Sequence, residues 1–327
     1  MKTLVTGATG FLGSALVREL LRRGADVRIL RRYHSKLDLL GDSANTVEHA
    51  VGDVTDLESV REAMRDVTRV YHVAGLVAVI ARTRGLIARM RAVNVRGTAN
   101  VADAAREAGV QRLVHTSSIA ALGRSERAPS LTDESATWHA SRLNTHYAIS
   151  KHDAELQICR SVAEGLDAVV VNPAVIFGPG RPGENTMRIF EAIRQRQSPG
   201  NPSGGVNVVD VEDVAAGHIL AMEHGRTGER YILGGENLSW KTIFSQLALA
   251  AGVPAPHRNI PLGVAMAIAT AAELGAAFRR KNPVIDRVSI RGMYQFWRIS
   301  SKKAAQELGY SYRPFAETTR RMVAAYS

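Results

Sequence analysis

The apolar positions of this 327-residue chain fall into short, nearly continuous runs that alternate with stretches of helical spacing. Residues 2–6 read as a buried strand, after which Leu12, Ala15, Leu16 and Leu20 recur at helical intervals. The same alternation predicts strands at 27–30, just before Gly52, at 69–73, at 112–115 and at 168–171. Helices are expected from about 56 to 64, from Ala92 through Ala99, Ala102 and Ala105, and around residue 147, whereas 76–91 looks irregular. Strands apolar on both faces and separated by helices imply a parallel sheet covered on both sides. Regular alternation stops at the glycine- and proline-dense segment 177–183. Beyond it the pattern predicts a helix at 186–196, a loop at 198–205, a strand at 206–209, a helix at 213–223, a strand at 231–233 and then mainly helix, including the apolar run 262–278.

The strand ends carry the candidate chemistry. The first strand runs into Gly7-Ala-Thr-Gly10-Phe-Leu-Gly13 and then a helix. Glycines there let the backbone approach a pyrophosphate, and the helix N-terminus offers free N–H groups. The second strand ends in Arg31-Arg32, where an acidic residue would suit the ribose hydroxyls of NAD. Two arginines suit a 2′-phosphate and hence NADP(H), with NAD(H) the alternative. Asp53, followed by Val54, is placed either for an adenine amino group or for capping the next helix. The fourth strand ends in the small pair Ala74-Gly75, which lets backbone lie close to a cofactor. Asn94 is a polar residue on a small-residue helix, either exposed or part of a buried relay. The fifth strand ends in Thr116-Ser117-Ser118, hydroxyls facing the crevice in which open parallel sheets bind ligands. Residues 128–145 read as a loop over that crevice. Tyr147 and Lys151 then stand four apart on one helix face, where an ammonium beside a phenol favours the phenolate. The sixth strand closes on Asn172-Pro173. These features predict an α/β protein: a Rossmann-type doubly wound parallel sheet over 1–177, to which 206–235 returns, and a smaller, mainly helical substrate lobe from 178–205 and 236–327.

Composition narrows the partners. Hydrophobic residues at 45% and charged residues at 22% describe an ordinary globular chain. The formal charge of +11 is concentrated at the C-terminal end, where residues 251–327 hold twelve basic and four acidic side chains. Such a field attracts anionic substrates, membranes or nucleic acid alike, but no nucleic-acid-binding motif accompanies it. The run 262–278 ends in Arg279-Arg280-Lys281 and is interrupted by Glu273. It is therefore expected to be a substrate-lobe helix rather than a transmembrane span, with a membrane-surface anchor as the alternative. The single Cys159, expected inside its helix, excludes an intrachain disulfide. The first residues are too short an apolar stretch for a signal-peptide core, and no metal cluster is visible, so a cytoplasmic, metal-free protein is expected.

Taken together, these residues resemble the extended short-chain dehydrogenase/reductase family, the NAD-dependent epimerase/dehydratase group. Residues 205–218 and 228–235 look most like dihydroflavonol-4-reductase-like proteins and hopanoid-associated sugar epimerases. The resemblance implies that Gly7, Gly10, Phe11, Leu12 and Gly13 cradle the pyrophosphate and that Arg31 or Arg32 holds the ribose phosphate. It implies that Asp53 and Val54 meet adenine, Ala74 and Gly75 line the cofactor, and Asn172 and Pro173 lie near the nicotinamide. Ser118, Tyr147 and Lys151 would form the catalytic set, with Ser117 the alternative serine, Asn94 in an ordering or relay role and Lys151 also on the cofactor ribose. A homodimer through helices 92–108 and 146–163 is implied as well. Two departures count against nucleotide-sugar chemistry. No arginine precedes Asp210 in Asn207-Val-Val-Asp210, and Ile119-Ala120 stand after Ser118 where sugar dehydratases carry an acidic pair. The expected activity is reduction of a ketone or hydroxyketone of a small to mid-sized, partly apolar substrate. A sugar-nucleotide epimerase with recycled NAD, and a non-catalytic dinucleotide sensor, are the competing readings.

Overall fold

The computed structural model describes residues 1–124, 131–184, 186–279 and 281–326. Residues 128–130 of the expected loop, Pro129 among them, and Arg280 of the basic run lie outside these residues. The chain begins with β1 (Lys2–Thr6), α1 (Phe11–Arg22), β2 (Asp26–Arg31), β3 (Glu48–Val51), α2 (Leu57–Ala63), β4 (Val67–His72), α3 (Arg84–Arg91) and α4 (Gly97–Glu107). It continues with β5 (Arg112–Thr116), α5 (His146–Ala163), β6 (Ala168–Pro173), β7 (Val175–Phe177), α6 (Met187–Arg194), β8 (Gly205–Asp210), α7 (Val211–His224), β9 (Arg230–Leu233) and β10 (Glu236–Ser239). Five helices complete it: α8 (Trp240–Ala250), α9 (Leu262–Phe278), α10 (Arg287–Met293), α11 (Lys302–Leu308) and α12 (Phe315–Ala324).

Seven strands form one parallel sheet in the order β3-β2-β1-β4-β5-β6-β9. Strand order reverses between β1 and β4, so the ends of these two strands open a crevice. Alternate residues of each strand feed opposite layers. Val5 joins Leu16 and Val17 of α1 and Val214 and Ile219 of α7, whereas Leu4 joins Val101 and Ala105 of α4 and Ile158 of α5. The fold is the expected Rossmann-type sheet with helices on both faces.

Several local features differ from the sequence reading. Residues 84–91 form α3, whose arginines hide a short apolar stripe of Leu86, Ile87 and Met90 packed near Tyr147. Residues 92–96 are wound as a π-helix leading into α4. Of the segment 206–235, α7 packs on α1 and β9 joins the main sheet, but β8 lies between β7 and β10 in a second, three-stranded sheet. That sheet builds a separate core with α6, α8 and α12 around Phe177, Phe190, Trp240 and Phe315. Cys159 is exposed, because the buried stripe of α5 runs through Ala154, Glu155 and Ile158 and passes it by.

Candidate active site

The crevice begins at the glycine turn. Gly7 adopts φ +71°, and a Cβ there would stand 2.5 Å from the Ala74 nitrogen. A Cβ on Gly13 would stand 2.2 Å from the Gly7 carbonyl oxygen, so neither position admits a side chain without moving backbone. Gly10 is the N-cap of α1 and supplies no side-chain cap, leaving the first N–H groups of the helix facing the turn. Phe11 lays its ring against Gly180. Leu12 is buried in the core, so only its backbone can serve a ligand. This cradle fits a pyrophosphate.

At the adenosine end, the two arginines behave differently. Arg31 donates from Nε to His49 Nδ1 at 2.7 Å and from its Nη1 to the Arg32 and Tyr33 carbonyls. The Arg32 guanidinium is exposed and has no partner among the described residues. Asp53 Oδ1 accepts from the Thr55 amide and hydroxyl at 2.9 and 2.8 Å. Asp53 does not cap α2: that cap is Asp56, which accepts from the Glu58 amide. Val54 is core, packed against Gly97. Arg181 was not foreseen; it reaches across to the Thr9 carbonyl while paired with Asp38, tying the 177–183 segment to the glycine turn.

The reacting end is built on α5. Thr145 caps it by accepting from the Ala148 amide, and Tyr147, Lys151 and Glu155 follow at four-residue spacing, all buried. Adjacent residues leaving β5 diverge. Ser118 Oγ accepts from the Ala120 amide and is the hydroxyl that acts on the Tyr147 phenol, lowering its pKa, while Ser117 Oγ donates to Glu155 Oε1 at 2.5 Å. The serine facing the tyrosine is therefore Ser118. Lys151 Nζ donates to the Thr116 carbonyl at 2.7 Å and would lie 3.3 Å from a Cβ on Gly75, so the glycine leaves open space beside the ammonium. Asn94, on the π-helix, is buried. It accepts from the Leu76 amide at 2.7 Å and donates to the Leu76 carbonyl and to Ser150 Oγ. Ser150 in turn donates to the Tyr147 carbonyl. Asn94 thus stitches the loop after β4 to the tyrosine's own turn.

Electrostatics correct one expectation. Lys151 does not pull the Tyr147 phenol toward phenolate in this structure. Burial raises the phenol's pKa, opposed only by the Ser118 hydroxyl. Burial likewise pushes Lys151 down to about 8, against the pull of Glu155. Tyr147 is therefore a protonated phenol at neutral pH.

Glu155 is the residue the sequence reading missed, although it continues the spacing of Tyr147 and Lys151 by one more turn. Its Oε1 also accepts from Asn172 Nδ2 at 2.6 Å, and Arg230 approaches its Oε2 at 3.6 Å. Asn172 donates to the Ser118 carbonyl at 3.0 Å as well. The Asn172 Oδ1 is buried without a partner among the described residues, beside the buried Pro173. A cavity of about 280 Å³ lies between Leu122, Gly123, Arg124, the 131–139 segment and Trp297. Arg124 lies 4.5 Å over the Trp297 ring, and its backbone amide is held by Asn144 Oδ1.

A phosphate-cradling turn at the β1/β4 crevice and a serine–tyrosine–lysine set at the β5 end define an NAD(P)-dependent oxidoreductase of the extended short-chain dehydrogenase/reductase type. The chain belongs to the NAD dependent epimerase/dehydratase family, which matches residues 3–234. It is 36% identical over 314 residues to a putative dihydroflavonol 4-reductase of Synechocystis, covering 93% of this chain and 88% of the relative. It is 38% identical over 317 residues to sterol demethylase protein B of Methylococcus capsulatus, covering 94% and 93%. Among solved structures it resembles that of gox2253, with a TM-score of 0.84 and 35% identity over 99% of this chain and 97% of the other.

Proposed function

We propose that the protein reduces a ketone or hydroxyketone with NADPH. The observation that carries this reading is that α5 buries Tyr147 and Lys151 on one face, beside the Ser118 hydroxyl, with burial raising the pKa of the phenol. Reduction needs a proton donor at the carbonyl oxygen, and a phenol of raised pKa supplies one. Bound NADPH supplies the hydride to the carbonyl carbon. Tyr147 gives its proton to the oxygen, and Ser118 donates a hydrogen bond to the same oxygen as negative charge develops. Lys151, beside the space left by Gly75, meets the cofactor ribose. Asn172 and Pro173 lie near the nicotinamide, and Asn94 and Glu155 hold Tyr147 and Ser118 in register. The pyrophosphate rests on Gly7, Gly10, Gly13 and the first amides of α1, with Asp53 toward adenine.

Arg32 is the 2′-phosphate ligand in this reading, because its guanidinium is free whereas that of Arg31 is committed to His49. The substrate enters over the cavity that Arg124 borders, under residues 178–205 and 236–327, while 1–177 holds the dinucleotide. The relatives named as a reductase and a sterol demethylase protein support a partly apolar carbonyl compound. Subunits pair through α4 and α5. A shallow groove of about 400 Å³ lined by Ala88, Ala92, Val95, Ala99 and Gln157 supports that face, and a cytoplasmic location accords with dinucleotide chemistry.

Quenching of NADPH fluorescence on titration with protein tests the cofactor assignment. Arg32→Ser is expected to weaken NADPH binding at least about tenfold and to leave NADH binding unchanged. Tighter binding of NADH by the wild-type protein would overturn the assignment. Tightly retained NAD in purified protein would favour epimerisation instead.

A further inference from the structure

The most apolar helix of the chain turns its apolar side chains to solvent. α9 buries only Ala265 and Ala269, both small, packed on Ile290 of α10. Its outward face reads Val264, Ala267, Ile268, Ala271, Leu274 and Phe278, all exposed, at helical spacing over four turns. No polar side chain interrupts that stripe. Leu274 is 68% and Phe278 92% exposed, and Val284 just beyond is 91% exposed. The two polar side chains of α9 point elsewhere. Thr270 donates to the Met266 carbonyl, and Glu273 accepts from Arg82 Nη2 and from Arg287 Nε, each at 2.8 Å.

The charge around the stripe has one sign. Glu273 is already paired, and the exposed ions at the two ends of the helix are Arg258, Arg279 and Lys281. No helix is long and apolar enough to cross a membrane among the described residues, so an apolar stripe with basic ends suits a helix lying in the plane of a bilayer surface. A second copy pairing through its own α9 offers Glu273 as the acid of that helix, and Glu273 is already paired with Arg82 and Arg287. An anionic bilayer supplies both the apolar layer and the phosphates.

We propose that α9 docks the protein on an anionic lipid surface, with its outward stripe in the headgroup layer and Arg279 and Lys281 on lipid phosphates. The position of α9 gives this docking a consequence. Arg82 ties α9 and Asp286 to the loop of residues 76–83, and Ala81 of that loop packs with Tyr147. Docking sets this loop, with the catalytic tyrosine behind it, at the level where an apolar carbonyl compound dissolves in lipid. That consequence rests on the proposed reduction; the docking itself does not.

Co-sedimentation of the full chain with vesicles tests it. The protein is expected to pellet with vesicles of phosphatidylglycerol mixed with phosphatidylcholine, to remain in solution with phosphatidylcholine alone, and to be released by high salt. The triple variant Ile268→Glu, Leu274→Glu, Phe278→Glu should lower partitioning at least about tenfold. Its thermal melting and NADPH quenching should match the wild type. Arg279→Glu with Lys281→Glu should abolish the preference for the anionic lipid. Should the triple variant fold poorly, Phe278→Ser at the exposed helix end carries the same test with a smaller loss. A wild-type protein that stays in the supernatant with anionic vesicles at low salt overturns the proposal, as does a triple variant that pellets equally. Self-association in sedimentation velocity that the triple variant dissolves, without vesicle binding, would assign the face to a second copy.

Discussion

Two helices of nearly equal length, α5 and α9, invert the usual relation between hydropathy and burial. α5 is rich in ionisable residues, yet it buries Tyr147, Lys151 and Glu155 along one face. α9 is almost wholly apolar, yet among its buried positions are only Ala265 and Ala269. Burying ionisable groups costs free energy unless partners are supplied. Glu155 has two donors, Ser117 Oγ and Asn172 Nδ2, with Arg230 behind. Lys151 has one acceptor, the Thr116 carbonyl, and burial lowers its pKa to about 8 against the pull of Glu155. A cost tolerated on that scale marks a working face. The exposed stripe of α9 is the converse signal: apolar area left in water where folding alone gives no reason for it.

The largest effect should come from the working face. Tyr147→Phe removes the proposed proton donor while leaving the ring that packs with Ala81 and Met90. Carbonyl reduction is expected to fall by roughly 10²–10⁴-fold with NADPH binding intact. A ketone screen in which the variant keeps wild-type turnover would break the contrast, because α5 would then bury a phenol for no chemical purpose.

Lys151→Met separates chemistry from stability on the same helix. Burial holds the wild-type lysine at about 8, below the 10.5 of a free lysine. Below about pH 8 both native and unfolded states carry its proton, so the full burial penalty is present. Between about 8 and 10.5 the unfolded state binds the proton and the native state does not, so stability rises with pH. The apo variant should therefore be more stable than wild type at pH 7, by about 3 kcal/mol for the relieved penalty less about 1 kcal/mol for the orphaned Thr116 carbonyl. The advantage should fade as pH approaches 10, while activity is lost throughout. Thermal melts of both proteins across that range check the sign. Equal melting points at pH 7 would show that Lys151 is not strained in the empty site.

What the sequence made legible follows from this physics. Strand ends were readable where a short apolar run meets a glycine, a hydroxyl or an amide, as at Thr6-Gly7, Thr116-Ser117 and Val171-Asn172. The glycine turn and the Tyr147/Lys151 spacing were weak signals singly and became readable as candidates only as one set, turn after the first strand, hydroxyls at the fifth and the pair on the following helix. The choice between Ser117 and Ser118 could not be read, since neighbours on a strand diverge and only sheet register tells which one meets the tyrosine. Glu155 was hidden for another reason: a carboxylate on a helix ordinarily signals solvent, and its donors come from residues 38 and 17 positions away. β7 and β10, of three and four residues, carry too little pattern to register. In α9 only Thr270 and Glu273 interrupt an otherwise apolar sequence, too few polar residues to set a period that says which side is covered.

The smallest effects lie on α9, and they decide whether its stripe is open in the isolated protein. Ala269 is fully buried, so Ala269→Gln forces a long amide into the contact with Ile290 and should cost about 2–3 kcal/mol in denaturant unfolding. Ile268, its immediate neighbour, is 53% exposed, and Ile268→Gln should shift stability by no more than about 0.5 kcal/mol in the absence of lipid. The two substitutions place the same amide on opposite sides of one helix turn, and the difference in propensity between the alanine and isoleucine removed, about 0.4 kcal/mol, is small beside the cost expected at Ala269. If Ile268→Gln costs as much as Ala269→Gln, the stripe is already covered in solution and α9 is an ordinary buried helix. If it costs nothing in solution but weakens vesicle binding, the apolar face of α9 is kept for lipid, as the polar face of α5 is kept for chemistry.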